Sequence, residues 1–209
     1  MLNRLLYQTG TSLVELMISM AIGFASLTAM ASLVGHGIGL NSQLMAKSRL
    51  DEEVNAVAAL MIRDIKRAGY DGNIAIVVND PNQFVSVFDN SLAVYSYPGE
   101  AASSCVEFSY DRNQNGVLDV VSGNENFGYR LKDNAIEIRI DGLSCEAGGW
   151  HDLTDPDIIK VSHLKFVLQQ QNNHGVNTHR IAIELQAELK SDSSVSKRFS
   201  TSFLVKNYD

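Results

Sequence analysis

The sequence predicts an α+β protein in which one long N-terminal helix precedes an antiparallel β-sheet domain. Two observations support the helix. Residues Leu16–Ala46 include no Asp, Glu, Lys or Arg, and the apolar residues that follow recur at helical spacing as far as Ile65. A third observation supports the sheet domain: after Gly72 the chain divides into short segments rich in β-branched and aromatic residues, separated by turn-forming residues.

Composition and charge limit the classes of function. The chain has 209 residues, of which 45% are hydrophobic and 20% are charged, so it has the material for one folded domain of ordinary size. Its formal net charge is −7. Because an acidic chain repels phosphate backbones, nucleic acid is not an expected partner.

The first half of the helix, residues 11–39, has the length and polarity of a transmembrane segment. His36 is the only ionisable side chain between Leu16 and Ala46. At about 1.5 Å per residue, this run is longer than the bilayer hydrocarbon core of about 30 Å. Small residues recur at four-residue spacing within it, which allows close helix packing in lipid. A plain membrane anchor is the simpler alternative to a helix that packs against others.

The order of residues around Gly10 differs from that of an ordinary secretory signal, in which the cleavage site follows the apolar segment. Here Gly10 precedes the apolar run, so cleavage after it would remove residues 1–10 as a leader and leave the whole helix on the mature chain. Glu15 is the fifth residue after Gly10. An unpaired carboxylate in an apolar helix costs at least about 3 kcal/mol. The new amine at Thr11 of an adjacent copy would supply a cation for it.

The stretch Gly10-Thr-Ser-Leu-Val-Glu-Leu-Met-Ile-Ser19 resembles the cleavage and methylation motif of type IV prepilins. The glycine, the apolar pair, the glutamate and Leu-Met-Ile are in register, whereas Thr11 stands where the family usually has Phe. The resemblance implies that a prepilin peptidase cuts between Gly10 and Thr11 and methylates the new terminus, and that Glu15 acts in filament assembly. It also implies a pilin-like fold whose residues 11–39 enter the filament core.

Residues 40–68 are predicted to continue the helix as an amphipathic half. Gly69 is a typical residue to follow a helix end, so the globular domain is expected over residues 69–209. One apolar stripe should pack the helix on that domain. The stripe consists of Leu50, Val54, Val57, Met61 and Ile65.

The globular domain is predicted to be an antiparallel sheet, because its segments are rich in strand-forming residues and are separated by turn signals. From Ile181 to Ala187, apolar residues alternate with mostly polar ones, as in a strand with one buried face. Ser191–Ser196 is predicted to be a hairpin loop. The predicted strands are Ile74–Val78, Phe84–Phe88, Leu92–Tyr97, Cys105–Tyr110, Tyr129–Leu131, Ala135–Ile140, Val161–Leu168, Arg180–Leu189 and Lys197–Val205.

Cys105 and Cys145 are expected to form a disulfide if this domain lies outside the cytoplasm. Closing such a loop contributes about 4 kcal/mol in the chain-entropy account. Two buried free thiols are the alternative. A zinc site is disfavoured because the two cysteines lack the short spacing of zinc ligands.

Three downstream segments resemble minor pilins of the PilW type: Arg63-Asp-Ile-Lys-Arg-Ala-Gly-Tyr70, Tyr110-Asp-Arg-Asn-Gln-Asn-Gly116 and Glu125-Asn-Phe-Gly-Tyr-Arg130. The closing Leu204-Val-Lys-Asn207 is also similar. This resemblance implies a non-enzymatic protein that primes pilus assembly and sits at the pilus tip. The implied partners are other minor and major pilins, the prepilin peptidase and the inner-membrane assembly platform. The protein would cross the inner membrane once, with a periplasmic domain, before joining the extracellular pilus.

The segment Asp111-x-Asn113-x-Asn115-Gly116-x-x-Asp119 has the spacing of a calcium loop. Val117 would add its carbonyl oxygen. Glu125 is the nearest substitute for the EF-hand glutamate, whose position is occupied by Ser122. Because the loop has few carboxylates, calcium would bind weakly, at about millimolar concentration. A polar turn closed by its own side-chain hydrogen bonds is the alternative. No other cofactor is expected.

No catalytic pattern is present: the sequence lacks a Gly-x-Ser-x-Gly elbow, a Walker A loop and a dinucleotide fingerprint. His174 and His179 are predicted to lie in a loop and have no further zinc ligands at short range. Trp150 is predicted to be buried under a flexible turn. Two other functions fit the sequence. One is a type II secretion pseudopilin, and the other is a membrane-tethered, calcium-dependent adhesin or binding module.

Overall fold

A computed structural model describes residue 10 and residues 12–73, 86–173 and 176–205, with only the backbone of residues 172, 173, 176 and 177. This part of the chain contains one helix and eight strands. The chain forms two compact units, Met1–Met45 and Ala46–Asp209. Each unit is described separately below.

Helix α1 spans Leu13–Ile65. It ends three residues before the predicted Ala68, because the N–H groups of Arg67 and Ala68 bond to carbonyl oxygens three residues back and so tighten the chain into turns. Gly69 then adopts a φ of 77°, a conformation that glycine adopts without steric cost. Gly69 therefore ends the turns that follow the helix, four residues beyond the helix end at Ile65.

In the first unit, the large apolar side chains of α1 from Leu13 to Met45 are exposed. The helix is long and apolar enough to cross a membrane, and its most apolar window is wholly unburied. A run of exposed apolar side chains is unfavourable in water. It is therefore compatible with a single-pass anchor in lipid.

In the second unit, the remaining part of α1 is amphipathic as predicted. All five residues of the predicted stripe, from Leu50 to Ile65, are buried. They share one hydrophobic core with residues of both sheets, including Phe108, Leu164 and Ile183. The 3.6-residue period therefore identified the helix face that packs on the domain.

The strands form two antiparallel sheets. The first has the order β1-β2-β3-β4-β5 and the second has the order β6-β7-β8. The first five strands are β1 (Ala93–Tyr95), β2 (Cys105–Ser109), β3 (Asn126–Lys132), β4 (Ala135–Ile138) and β5 (His151–Asp152). The last three are the longest: β6 (Ile159–Asn173), β7 (Val176–Leu189) and β8 (Ser196–Val205).

Two predicted strands precede β1 in the chain. Ile74–Val78 lies outside the described residues. The strand predicted at Phe84–Phe88 is wrong for the part that the structure describes, because residues 87–90 form a turn. Phe88 is fully buried there, so its apolar character reflects a core contact made from a turn. Short apolar segments do not distinguish these two cases.

Two further predictions need correction. The two-residue strand β5, which pairs with β4 through Glu137 and Ile138, is absent from the predicted strands. His179 lies within β7 and is buried, so its placement in a loop is wrong; His174 lies outside the described residues. The sequence does not indicate strands at these positions, because the residues are polar and the strands depend on pairing with neighbouring strands.

Candidate assembly site and the domain that follows it

Glu15 lies in the first turn of α1, and Gly10 is exposed just before the helix. Thr11 lies outside the described residues. Glu15 is the only Asp, Glu, Lys or Arg between Leu13 and Ala46. A carboxylate in the first helical turn is favoured by the partial positive charge of the helix N-terminus. The arrangement presents one anion at the start of an exposed apolar helix.

Other polar side chains in this segment bond to their own helix backbone. Ser19 Oγ donates to the Glu15 carbonyl oxygen at 2.7 Å, and Ser26 Oγ donates to the Ile22 carbonyl oxygen at 2.9 Å. Such bonds satisfy the hydroxyl groups internally, which lowers the cost of placing them in lipid. The Glu15 carboxylate differs from these hydroxyl groups because it carries a full charge when ionised. The partial charge of the helix N-terminus offsets only part of the cost of placing that charge in lipid, so a cation is needed for the rest.

A disulfide joins Cys105 in β2 to Cys145 in the loop before β5, with a Cα–Cα distance of 6.2 Å. This agrees with the pairing expected from the sequence. Both cysteines are buried in a small apolar cluster with Trp150, whose predicted burial is confirmed. Glu107 lies close enough to both sulfurs to form a group of three metal-ligating residues. Because the sulfurs are bonded to each other, they are not available as thiolate ligands.

The fully buried Arg130 organises the same region, and the sequence analysis did not identify this role. Its guanidinium lies between the rings of Tyr97 and Trp150, at 4.7 and 4.4 Å from their centroids. It pairs with Glu137 and donates to the carbonyl oxygens of Cys145 and Ala147. A signal was present: the two-residue turn at Asp133-Asn134 places Arg130 directly opposite Glu137.

In the predicted calcium loop, Asp111 is buried and its carboxylate accepts four backbone N–H bonds, from Gly72, Gln114, Asn115 and Gly116. The loop residues thus meet around Asp111, which holds the turn closed.

The other predicted ligands also bond within the loop. Glu125 accepts from the N–H groups of Arg112, Asn113 and Asp119. The Asn113 and Asn115 side-chain amides both donate to Asp119 Oδ2. Val117 is 58% exposed. These contacts have the form of a self-closed polar turn, and calcium binding stays a prediction of the sequence.

An exposed apolar helix that begins with one carboxylate, followed by an antiparallel domain with a disulfide, is the layout of a pilin-like protein. The chain belongs to the family described as prepilin peptidase-dependent protein B, whose family model matches residues 43–205. It is similar to the prepilin peptidase-dependent protein B of Escherichia coli (strain K12), with 27% identity over 167 residues that cover 78% of this chain and 79% of that protein. No solved structure matches the chain.

The family match begins at residue 43, so it covers the amphipathic helix and the sheet domain and leaves out Gly10 and Glu15. Support for processing and assembly therefore comes separately, from the N-terminal sequence. The family is that of protein B and not specifically the PilW type, so the PilW resemblance stays a prediction.

Proposed function

We propose that the chain is a minor pilin of the PilW type, which primes assembly of a type IV pilus and lies at its tip. One observation carries the proposal: Glu15 is the single Asp, Glu, Lys or Arg of the exposed apolar run from Leu13 to Ala46 and follows Gly10 at the prepilin spacing. Membership of the protein B family supports a component of a type IV or type II system. The proposed role is structural and requires no catalytic site.

The proposed sequence of events follows from the charges. The precursor is held in the inner membrane by α1, with residues 1–10 in the cytoplasm and the sheet domain in the periplasm. A prepilin peptidase, on which the relative's name says that protein depends, cuts after Gly10 and methylates the amine of Thr11. Glu15 then pairs with the amine of a neighbouring pilin as the helix leaves the lipid, because a low-dielectric environment strengthens this attraction.

The test is Glu15→Ala expressed in a strain that lacks the gene. The leader should still be removed, since the cleavage site is intact, whereas the number of pili should fall to that of the deletion strain. Glu52→Ala is the matched control, because Glu52 is an exposed glutamate on the same helix beyond the apolar run. Normal piliation with Glu15→Ala would contradict the mechanism.

A type II secretion pseudopilin is the second candidate, because the N-terminal arrangement of Gly10 and Glu15 is common to both classes. The phenotype of the deletion strain separates them. Loss of pili with normal secretion of exoproteins supports the minor pilin. Loss of secretion with normal pili supports the pseudopilin.

A membrane-tethered, calcium-dependent adhesin is a third candidate, carried by the spacing of the loop from Asp111 to Asp119. Calcium binding would require the Asn113 and Asn115 amides to turn their oxygens toward the ion. Calorimetric titration of the full chain in detergent tests this, with magnesium and Asp119→Asn as controls. Binding at about millimolar calcium that is lost in the variant supports the site. No binding at about 10 mM calcium identifies the loop as a self-closed turn.

A further inference from the structure

Two of the three segments that carry the PilW resemblance line one surface groove of about 270 Å³, and the third packs against a ring of that lining. Backbone hydrogen bonds hold the first two together: the Gly69 N–H donates to the Ser109 carbonyl at 2.9 Å, and the Asp111 N–H donates to the Tyr70 carbonyl at 2.8 Å. The third segment supplies Phe127, which stacks on Tyr110 with 4.2 Å between ring centroids. The groove is lined by Lys66, Arg67, Tyr70, Tyr110, Arg112 and Gln114.

Two guanidinium groups of this groove lie over the stacked ring pair. Arg67 Cζ is 5.2 Å from the Tyr110 centroid, and Arg112 Cζ is 5.8 Å from the Phe127 centroid. Ring contacts of this kind orient the guanidinium planes and leave their N–H edges free to bind a ligand. Arg67 donates to the Tyr110 hydroxyl at 3.4 Å and Arg112 donates to the Gly123 carbonyl at 3.0 Å. Each group has five N–H donors in total.

The groove is a cationic site on an acidic protein. Lys66, Arg67 and Arg112 contribute three positive charges, although the whole chain carries −7. Asp111 also borders the groove, but its buried carboxylate already accepts four backbone N–H bonds. The residues that line the groove thus include three cations and one anion, and the two oriented guanidinium groups suit the planar carboxylate of an incoming ligand.

We propose that this groove binds the carboxylates of an acidic segment on a partner pilin-like subunit; the identity of the partner rests on the proposed function. Lys66 follows Ala46 by 20 residues, which is about 30 Å of helix. The groove thus lies at the end of the amphipathic half of α1 that is farther along the chain from the uncharged run, and a protein anion is the favoured ligand. This chain itself carries an acidic run of the required kind, Asp51-Glu52-Glu53 on α1.

The test measures binding of a fluorescein-labelled hexaglutamate peptide to the full chain in a non-ionic detergent at low salt, by fluorescence anisotropy. Arg67→Gln with Arg112→Gln should weaken binding about tenfold, the sum of two partly exposed ion pairs. Arg198→Gln is the control. It removes one charge from an exposed arginine of β8 that bonds to Gln186, and it should leave the affinity within about twofold.

A second variant guards against a folding defect in the double substitution. Gln114→Glu keeps the size of an exposed side chain and places a carboxylate in the groove, so it should weaken binding about threefold by like-charge repulsion. Equal affinity of all variants would overturn the proposal. Displacement of the peptide by inorganic phosphate, or by phosphatidylglycerol vesicles, at matched anion concentration would overturn it in favour of a phosphate ligand.

The groove proposal and the proposed function can be contradicted independently of each other. Glu15→Ala should bind the peptide normally, since Glu15 is in the other compact unit. If Glu15→Ala abolishes piliation while the peptide does not bind, only the groove proposal is overturned. The reverse result is normal piliation with Glu15→Ala, together with peptide binding that the groove variants weaken. The groove would then still be a site for an acidic peptide, but the proposed partner would be wrong.

Discussion

Tyr129 in β3 donates its hydroxyl hydrogen to Asp64 Oδ2 in the last turn of α1, at 2.7 Å. Tyr129 is 1% exposed, and the Asp64 side chain is 14% exposed. Burial, then the hydrogen bond and charge of Asp64, hold the pKa of Tyr129 well above its ordinary value of 10.0. This contact fixes the end of the helix to the centre of the first sheet.

Tyr129→Phe should lower the free energy of unfolding by about 2 kcal/mol, because a hydrogen bond to a charged group is lost and Asp64 stays partly buried. Urea unfolding of the full chain in detergent, followed by Trp150 fluorescence, measures the change. Tyr95→Phe is the control, since Tyr95 is 49% exposed and its substitution should cost at most about 0.5 kcal/mol. Equal losses in the two variants would contradict the role of the Asp64 contact.

The same contact predicts a loss of stability in alkali. The folded protein keeps Tyr129 protonated to a higher pH than the unfolded chain, whose tyrosines titrate near 10.0. The stabilisation is thus fully present below about pH 10 and is lost as the pH rises further. Between about pH 9 and 11, the free energy of unfolding should fall more steeply in the wild type than in Tyr129→Phe. Parallel pH profiles would show that Tyr129 does not contribute.

Arg130→Met should lower the free energy of unfolding by about 3 kcal/mol, because the buried Glu137 loses its close partner and keeps only the longer ion pair of 3.8 Å with Lys132 Nζ. Adding Glu137→Leu should recover part of the loss, since the orphaned charge is removed. Lys160→Met is the control: its pair with Glu188 is exposed on the lysine side, and it should cost at most about 1 kcal/mol. A double variant less stable than Arg130→Met alone would contradict this account.

Replacing both Cys105 and Cys145 by serine should lower the free energy of unfolding by about 4 kcal/mol, since the disulfide closes a loop with a sequence separation of 40. The reduced wild type should show a similar loss in the same urea experiment. The fluorescence maximum of Trp150 should move to longer wavelength, because the cysteines form the small cluster that covers it. An unchanged unfolding midpoint would show that the disulfide is not structural.

Periodicity predicted much of the fold. The stripe from Leu50 to Ile65 and the alternation from Ile181 to Ala187 each identify a buried face, because side-chain direction follows directly from the backbone repeat. Phe88 and β5 were missed for the opposite reason. A turn that inserts an aromatic ring into the core and a two-residue strand made by tertiary pairing leave no repeat to detect.

The candidate sites also differ in how well the sequence predicts them. Gly10, Glu15 and the cysteine pair are recognisable because their chemistry depends on sequence order or on residue type. The role of Arg130 depends on the pairing of β3 with β4, and the groove depends on the contact of Arg67 with Tyr110, which is 43 residues away in the chain. From the sequence alone, Arg130 resembles an ordinary surface residue, because its pairing with Glu137 depends on the register of β3 and β4.

The most direct test of the account is the N-terminal mass of the native protein recovered from sheared pili. The proposal predicts a chain that begins at Thr11, ten residues shorter than the translated sequence, with Glu15 as its fifth residue. The same protein, recovered from the membrane fraction of a strain that lacks the prepilin peptidase, should begin at Met1. Pili whose assembled protein still begins at Met1 would contradict the proposal, because no amine would then be present beside Glu15 of a neighbouring helix.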